Sequence, residues 1–438
     1  MELYVFIRGK IVSKSVRSLR IRRLFIISLT LVSIILVSYV AHVYFSGSVE
    51  NPVYAASDKE AGSVDKALVS ANTMFAFNLF RELVSEDSGN VFISPLSVSM
   101  ALAMAYNGAE GTTKDAMSNT LNFGGMSMDK VNQEFSTLIQ SLGNVDQSVN
   151  LLIGNSVWIR QEFGPNVNAS FVQRVQSSYD GEVFTRDFSS SQTVNEINNW
   201  IDTKTNGKIK DAISQLDPQL AMLLINAIYF KGEWVTSFNK NETMQQDFYV
   251  SQGNTMQVDM MQTSGHFEYY SDKNCEVARL PYGRDKVAMY IFLPNQSMSL
   301  GSFIDNINQT VNDKYISELQ SVSNLVVELP KFKVEYDAIL NDALTRLGMG
   351  IAFDTRATAN FNGMAPGLFI SSVQHNSVVE VNEEGTEAAG VTSIFMSFGL
   401  SHGPTPIFFI VNRPFFFEIR DDRSGSILFM GAISNPTD

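Results

Sequence analysis

Apolar positions recur along the chain with two periods, and the two sort by position. Leu68, Ala71, Phe75 and Leu79 share one helical face, with Ala76, Phe80 and Leu83 beside it. That is the spacing of an amphipathic helix, and the polar run SEDSGN ends it. A short strand, VFI, follows. In SPLSVSMALAMAYNGAEG, Ser94 can cap a helix, Pro95 fits its first position and Asn107-Gly108 stops it. NNWIDTKTNGKI reads as a helix ending in a turn. Farther on, LLINAIYFKGEW is apolar on both faces, as a fully buried strand is. VAMYIFLP, NLVVELPKFKVEY and SVVEVNE add strands, and PIFFIVNRPFFFEIRDDRSGSILFMGAIS reads as strand, proline-marked break, hairpin and strand. Helices dominate early and strands late, which predicts an α+β fold.

Two stretches depart from this pattern. Leu24 to Tyr44 carries no Asp, Glu, Lys or Arg and follows Arg8, Lys10, Lys14, Arg17, Arg20, Arg22 and Arg23. As a helix it would be about 30 Å long, enough to cross a bilayer, and the basic flank would stay in the cytoplasm with the body outside. A cleaved signal peptide, cut near Val53-Tyr54-Ala55, is the alternative; the run exceeds the usual apolar core of about 7–15 residues. The chain is thus divided into a basic flank (1–23), a transmembrane anchor or uncleaved signal (24–45), a small polar tether (46–66) and one large domain (67–438). The second stretch is VVEVNEEGTEAAGVTS. It begins as a strand, but from Gly385 to Ser393 it holds no long apolar side chain, too soft for a core strand and too apolar for an ordinary polar loop.

Composition narrows the chemistry. The net charge of −13 comes from 32 basic and 45 acidic residues, so a nucleic-acid partner is not expected. Cys275 is the only cysteine, which excludes an intramolecular disulfide. The histidines are His42, His266, His375 and His402, too few beside one cysteine for a zinc cluster. No G-x-S-x-G elbow, phosphate-binding loop or dinucleotide turn occurs. The chain therefore reads as a binding or mechanical protein rather than an enzyme, with no metal and no cofactor. Four glycosylation sequons, at Asn168, Asn241, Asn295 and Asn308, are short patterns that recur by chance.

From about residue 67 onward the chain resembles the serpins. The matches run in order: NVFISPLSVSMALAMAYNGAEGTT, INNWIDTKTNGKI, LINAIYFKGEW, LPYG, ELPKFKVEYD, LGMGIAF, HNSVVEVNEEGTEAAG, VNRPFFFEI and ILFMGAISNP. The resemblance implies three β-sheets with about nine helices and an exposed reactive loop. It implies a suicide-substrate inhibitor: a serine protease cleaves the loop, and the loop enters the main sheet while the acyl-enzyme is still attached. The hinge would be Glu383, Glu384, Gly385, Thr386, Glu387, Ala388, Ala389 and Gly390. A strand alternates its faces, so with Thr386 inward, Ala388, Gly390, Thr392, Ile394 and Met396 also face in and none is charged. Ser94, Ser97, Asn226 and His375 match the family's sheet-opening cluster. Lys331 and Glu383 match a salt bridge where the loop inserts, with Trp234 packed there.

Counting along the loop as the family does gives Gly399–Leu400 as the cleaved bond. Chemistry favours Leu400–Ser401, since a glycine gives a protease pocket nothing to hold. No Lys or Arg lies between Arg356 and Arg413, so a subtilisin-, chymotrypsin- or elastase-like protease is expected over a trypsin-like one. The segment MSMDKVNQEFSTLIQSLG, matching a glycosaminoglycan-binding helix of some members, holds only Lys130, so no polyanion is expected. The expected product is a monomer outside the cell, tethered to the membrane or secreted. A non-inhibitory serpin acting as a binding or chaperone protein is the alternative.

Overall fold

The computed structural model describes residues 64–437 apart from 88, 144, 146–147, 252, 356–357 and 387–404. The chain divides between Glu60 and Ala61, and everything described lies in the second part. Nine α-helices occur among the described residues: α1 Lys66–Glu86, α2 Pro95–Tyr106, α3 Gly111–Thr120, α4 Met128–Leu142, α5 Ala169–Tyr179, α6 Ser191–Lys204, α7 Leu300–Asn306, α8 Gln309–Ser317 and α9 Asn341–Leu344. Helix α1 buries Leu68, Ala71, Phe75 and Leu79, the face its spacing predicts. Helix α2 starts at Ser94, whose hydroxyl accepts from the Ser97 N–H, with Pro95 in the first turn, and every one of its residues is buried.

The strands are β1 Val91–Ile93, β2 Val149–Arg160, β3 Glu182–Arg186, β4 Met222–Glu233, β5 Met244–Ser251, β6 Asn254–Ser271, β7 Cys275–Tyr282, β8 Val287–Pro294, β9 Gln320–Pro330, β10 Phe332–Ile339, β11 Ser372–Asn382, β12 Gly385–Thr386, β13 Ile407–Ile410, β14 Phe415–Asp421 and β15 Ser426–Ile433. A six-stranded sheet runs β10-β11-β12-β4-β2-β3, and a nine-stranded one runs β1-β15-β14-β8-β7-β6-β9-β13 with β5 on β6. The three expected sheets connect into two through the long strand β6. Its first part pairs with β5, its later part with β9, and its last residues also with β7.

Strand β4 explains why LLINAIYF lacks a polar face. Leu224, Ile228 and Phe230 enter the main core. Leu223, Ile225 and Ala227 enter a second cluster with Trp158 and with Ile197 and Ile201 of α6. A strand covered on both sides is apolar on both sides. Among the described residues no helix is long and apolar enough to cross a membrane; the run 24–44 lies outside them.

Candidate functional site: a forked sheet and its hinge

The six-stranded sheet is forked at one end. Strands β11 and β4 form a parallel ladder from Ser372/Leu223 to Ser377/Ile228. Beyond that they part, and β12 lies between them, antiparallel to both. Thr386 stands opposite Val381 and Gly232, and Gly385 opposite Asn382 and Glu233. The chain turns from β11 through Glu383 and Glu384 straight back into the fork.

Gly385 is required where it sits. Its φ is +155°, and a Cβ there would lie 2.1 Å from the Gly232 carbonyl oxygen and 2.8 Å from Glu233 Cα. These are backbone atoms of the neighbouring strand, so no side-chain shift relieves the clash. Thr386 is fully buried, facing the core, and its hydroxyl lies 2.7 Å from that of Tyr282. The Tyr282 ring is stacked under Trp234, with centroids 4.3 Å apart and planes at 14°.

The turn is held from several sides. Lys331 Nζ lies 3.2 Å from the Glu383 carboxylate, and the Thr243 hydroxyl donates to it at 2.8 Å. Burial pushes this carboxyl up, but hydrogen bonds from its own N–H, Thr243 and Lys331, together with the Lys331 charge, outweigh burial and hold it below its usual range. The Trp234 N–H donates to Glu384 O at 3.0 Å, and the Phe238 N–H to Glu383 O at 2.8 Å. The Trp234 indole donates to Asn382 O at 3.0 Å. Lys240 pairs with Glu384. Trp234, Lys331 and Glu383 are thus brought together as the resemblance implies, with Thr243, Lys240 and Tyr282 added. Glu387, Ala388, Ala389, Gly390, Gly399, Leu400 and Ser401 lie outside the described residues.

Beneath the ladder lies a buried polar cluster. The Ser94 N–H donates to His375 Nε2 at 3.2 Å, and His375 Nδ1 lies 2.6 Å from Asn226 Oδ1. Because Nε2 accepts, the proton sits on Nδ1 and donates to Asn226, and the ring is neutral. Burial drives the imidazole pKa down to about 3. The Asn226 amide donates to Ser97 Oγ and, at 2.8 Å, to Asn155 Oδ1. Ser94 Oγ donates to Leu428 O at 2.7 Å, and Ser377 Oγ to Phe92 O at 2.7 Å. All four residues named from sequence converge. Asn155 and Ser377 were missed: Ser377 sits in a strand read only for its apolar pattern, and the strand that carries Asn155 was not read from sequence. Among the described residues no group of three or more His, Cys, Asp or Glu could hold a metal.

These features define an α+β protein whose principal sheet is forked at one end and holds the first two residues of the connection 385–406. The comparisons name the class. The family profile of the serpins, serine protease inhibitors, matches residues 70–436, and the chain belongs to that family. An uncharacterised serpin-like protein of Methanosarcina acetivorans is 33% identical over 88% of this chain and 92% of its own length. Leukocyte elastase inhibitor A of Rattus norvegicus is 34% identical over 84% of this chain and 99% of its own. Among solved structures, the thermophilic serpin tengpin in its native state matches with TM-score 0.78 and 30% identity, covering 85% of this chain and 95% of that one. Human thyroxine-binding globulin complexed with thyroxine matches with TM-score 0.77 and 30% identity, covering 85% and 99%.

Proposed function

We propose that the protein is an inhibitory serpin that traps exported serine proteases by taking its cleaved loop into the fork as a new strand. The observation that carries this reading is β12, already antiparallel to both neighbours with a small uncharged side chain facing the core. Each step forward along the loop is one step back along β11 and β4. Continued in this register, Glu387 falls opposite Glu380 and Lys231, and Phe395 opposite Ser372 and Leu223. The inward residues are then Ala388, Gly390, Thr392 and Ile394, none of which would bury a charge.

The same register sets Thr392 between His375 and Asn226, which face each other in the closed ladder. Insertion must part them. The threonine hydroxyl can accept from His375 Nδ1–H and donate to Asn226 Oδ1, replacing the hydrogen bond that is lost. An apolar residue at 392 would leave two buried polar groups unmet, at about 1–3 kcal/mol each.

The scissile bond is Gly399–Leu400 or Leu400–Ser401, and the target is a subtilisin-, chymotrypsin- or elastase-like protease. Residues 24–44 hold the body at the outer face of a membrane, or are cleaved to release it as a secreted monomer. Polyanion activation has no support: Lys130, the one basic residue of α4, is already paired with Asp65 at 2.9 Å and Glu134 at 2.7 Å. The likeness to thyroxine-binding globulin favours a second reading, a binding serpin that does not trap proteases. Mixing the purified body with subtilisin, chymotrypsin and elastase separates the two. An SDS-stable complex is expected, at the summed mass less the C-terminal segment released beyond the cleaved bond; cleavage with no complex supports the second reading.

A further inference from the structure

We infer that Tyr282 is a positioning residue that seats the hinge in the sheet before any protease arrives, so that insertion starts from an already nucleated strand. The inference rests on the inhibitory reading above. Three observations carry it. First, Tyr282 and Thr386 are both fully buried, and among the described residues each hydroxyl finds its side-chain partner in the other, at 2.7 Å. Second, the ring cannot turn away. Trp234 stacks on one face, Phe230 meets it edge-on at 5.2 Å, and Gly232 leaves the space it fills, since a Cβ there would lie 2.9 Å from Tyr282 Cδ1. Third, Tyr282 belongs to the other sheet, at the end of β7, bridged to Trp234 just past the end of β4, with the Gly283 N–H donating to Glu233 O at 2.8 Å. The tyrosine therefore anchors the hinge to a part of the protein that does not have to move when β11 and β4 separate.

Seating the first two residues is the unfavourable step of strand addition. Backbone order is fixed there for few hydrogen bonds, whereas each later residue gains ladder bonds on both sides. Trapping depends on insertion outrunning hydrolysis of the acyl-enzyme. A contact that holds Thr386 in register therefore shifts the partition towards trapped complex without touching protease or scissile bond. Removing one buried hydrogen bond of this kind changes an equilibrium about fivefold.

The test is a double-substitution cycle, Tyr282→Phe and Thr386→Val, with Thr386→Ser as the conservative control. The stoichiometry of inhibition is read against a protease that the wild type traps. Tyr282→Phe is expected to increase the cleaved, untrapped fraction about fivefold. Thr386→Val on top of it should add little, while Thr386→Ser alone keeps the wild-type value. A stoichiometry unchanged in Tyr282→Phe, or fully additive effects, overturns the inference. If the wild type traps no protease at all, the inhibitory reading fails instead. Amide exchange at Thr386 then decides the seating: protection in the wild type that is lost in Tyr282→Phe upholds it, and a fast-exchanging wild-type Thr386 refutes it.

Discussion

Acid should loosen the closed sheet through His375. The imidazole is fully buried, its hydrogen-bond partners are the neutral Ser94 and Asn226, and burial lowers its pKa from an ordinary 6.5 to about 3. The unfolded chain binds a proton near pH 6.5 that the folded protein refuses. Stability from this residue is therefore complete above pH 6.5 and is lost as pH falls through the window from 6.5 to 3. Each pH unit in that window corresponds to about 1.4 kcal/mol, so roughly 2 kcal/mol has gone by pH 5. At about 2.1 cal/mol/K of unfolding entropy per residue, a body of this size loses about 2–3 °C in melting temperature. The control is His375→Gln, which keeps a donor and an acceptor but cannot titrate. Carboxylates that titrate elsewhere act on both proteins alike, so the quantity to follow is the wild-type melting temperature minus that of the variant at pH 7, 6 and 5. It should shrink by about 2–3 °C. A difference that stays constant over that range means that the histidine is not held neutral by burial, and the tautomer assignment falls with it.

Three further outcomes are expected. Thr386→Arg should convert inhibitor to substrate, because a buried unpaired cation costs several kcal/mol; undiminished complex on a denaturing gel would show that this position does not face the core during trapping. Gly385→Ala should cost about 1–3 kcal/mol by forcing a methyl group onto the β4 backbone, read as a lowered melting temperature and faster amide exchange at Thr386. A single nick between Phe398 and Ser401 should raise the melting temperature, since the freed strand can add ladder bonds on both sides and bury Ile394; an equal or lower value would mean that the loop stays out of the sheet.

Local signals were legible and long-range meetings were not. The Ser94 cap and Pro95 announce α2, and the continuous apolar run of β4 announces a strand covered on both faces, because each depends on neighbours in sequence. The convergence of His375 on Ser94 spans 281 positions and came only through resemblance to a family. Tyr282 lies inside LPYG, quoted for its likeness, yet nothing local says that its hydroxyl meets Thr386 across two sheets. Asn155 was hidden for a related reason: one buried amide in an apolar strand has no periodic signature. The two-sheet hydrogen-bonding pattern was also out of reach, since it depends on β6 changing partners along its length.

The polarity of the cluster beneath the ladder follows from what the sheet has to do. An apolar row at His375 and Asn226 would make the closed sheet simpler to build, because no buried donor would need a partner. It would offer an incoming strand nothing specific, and any register would bury as well as any other. A hydrogen-bonded pair is different. Once parted it demands a donor and an acceptor at one level only, and the antiparallel register begun at Gly385 and Thr386 brings Thr392 to that level. A slip of one residue in either direction would turn Glu387 inward, and in one of the two it would also bring Val391 to that level and leave both polar groups unmet. On this reading the cluster holds the closed sheet together and also specifies the register of the strand that opens it, which is a reason to keep polar groups where packing alone would favour none.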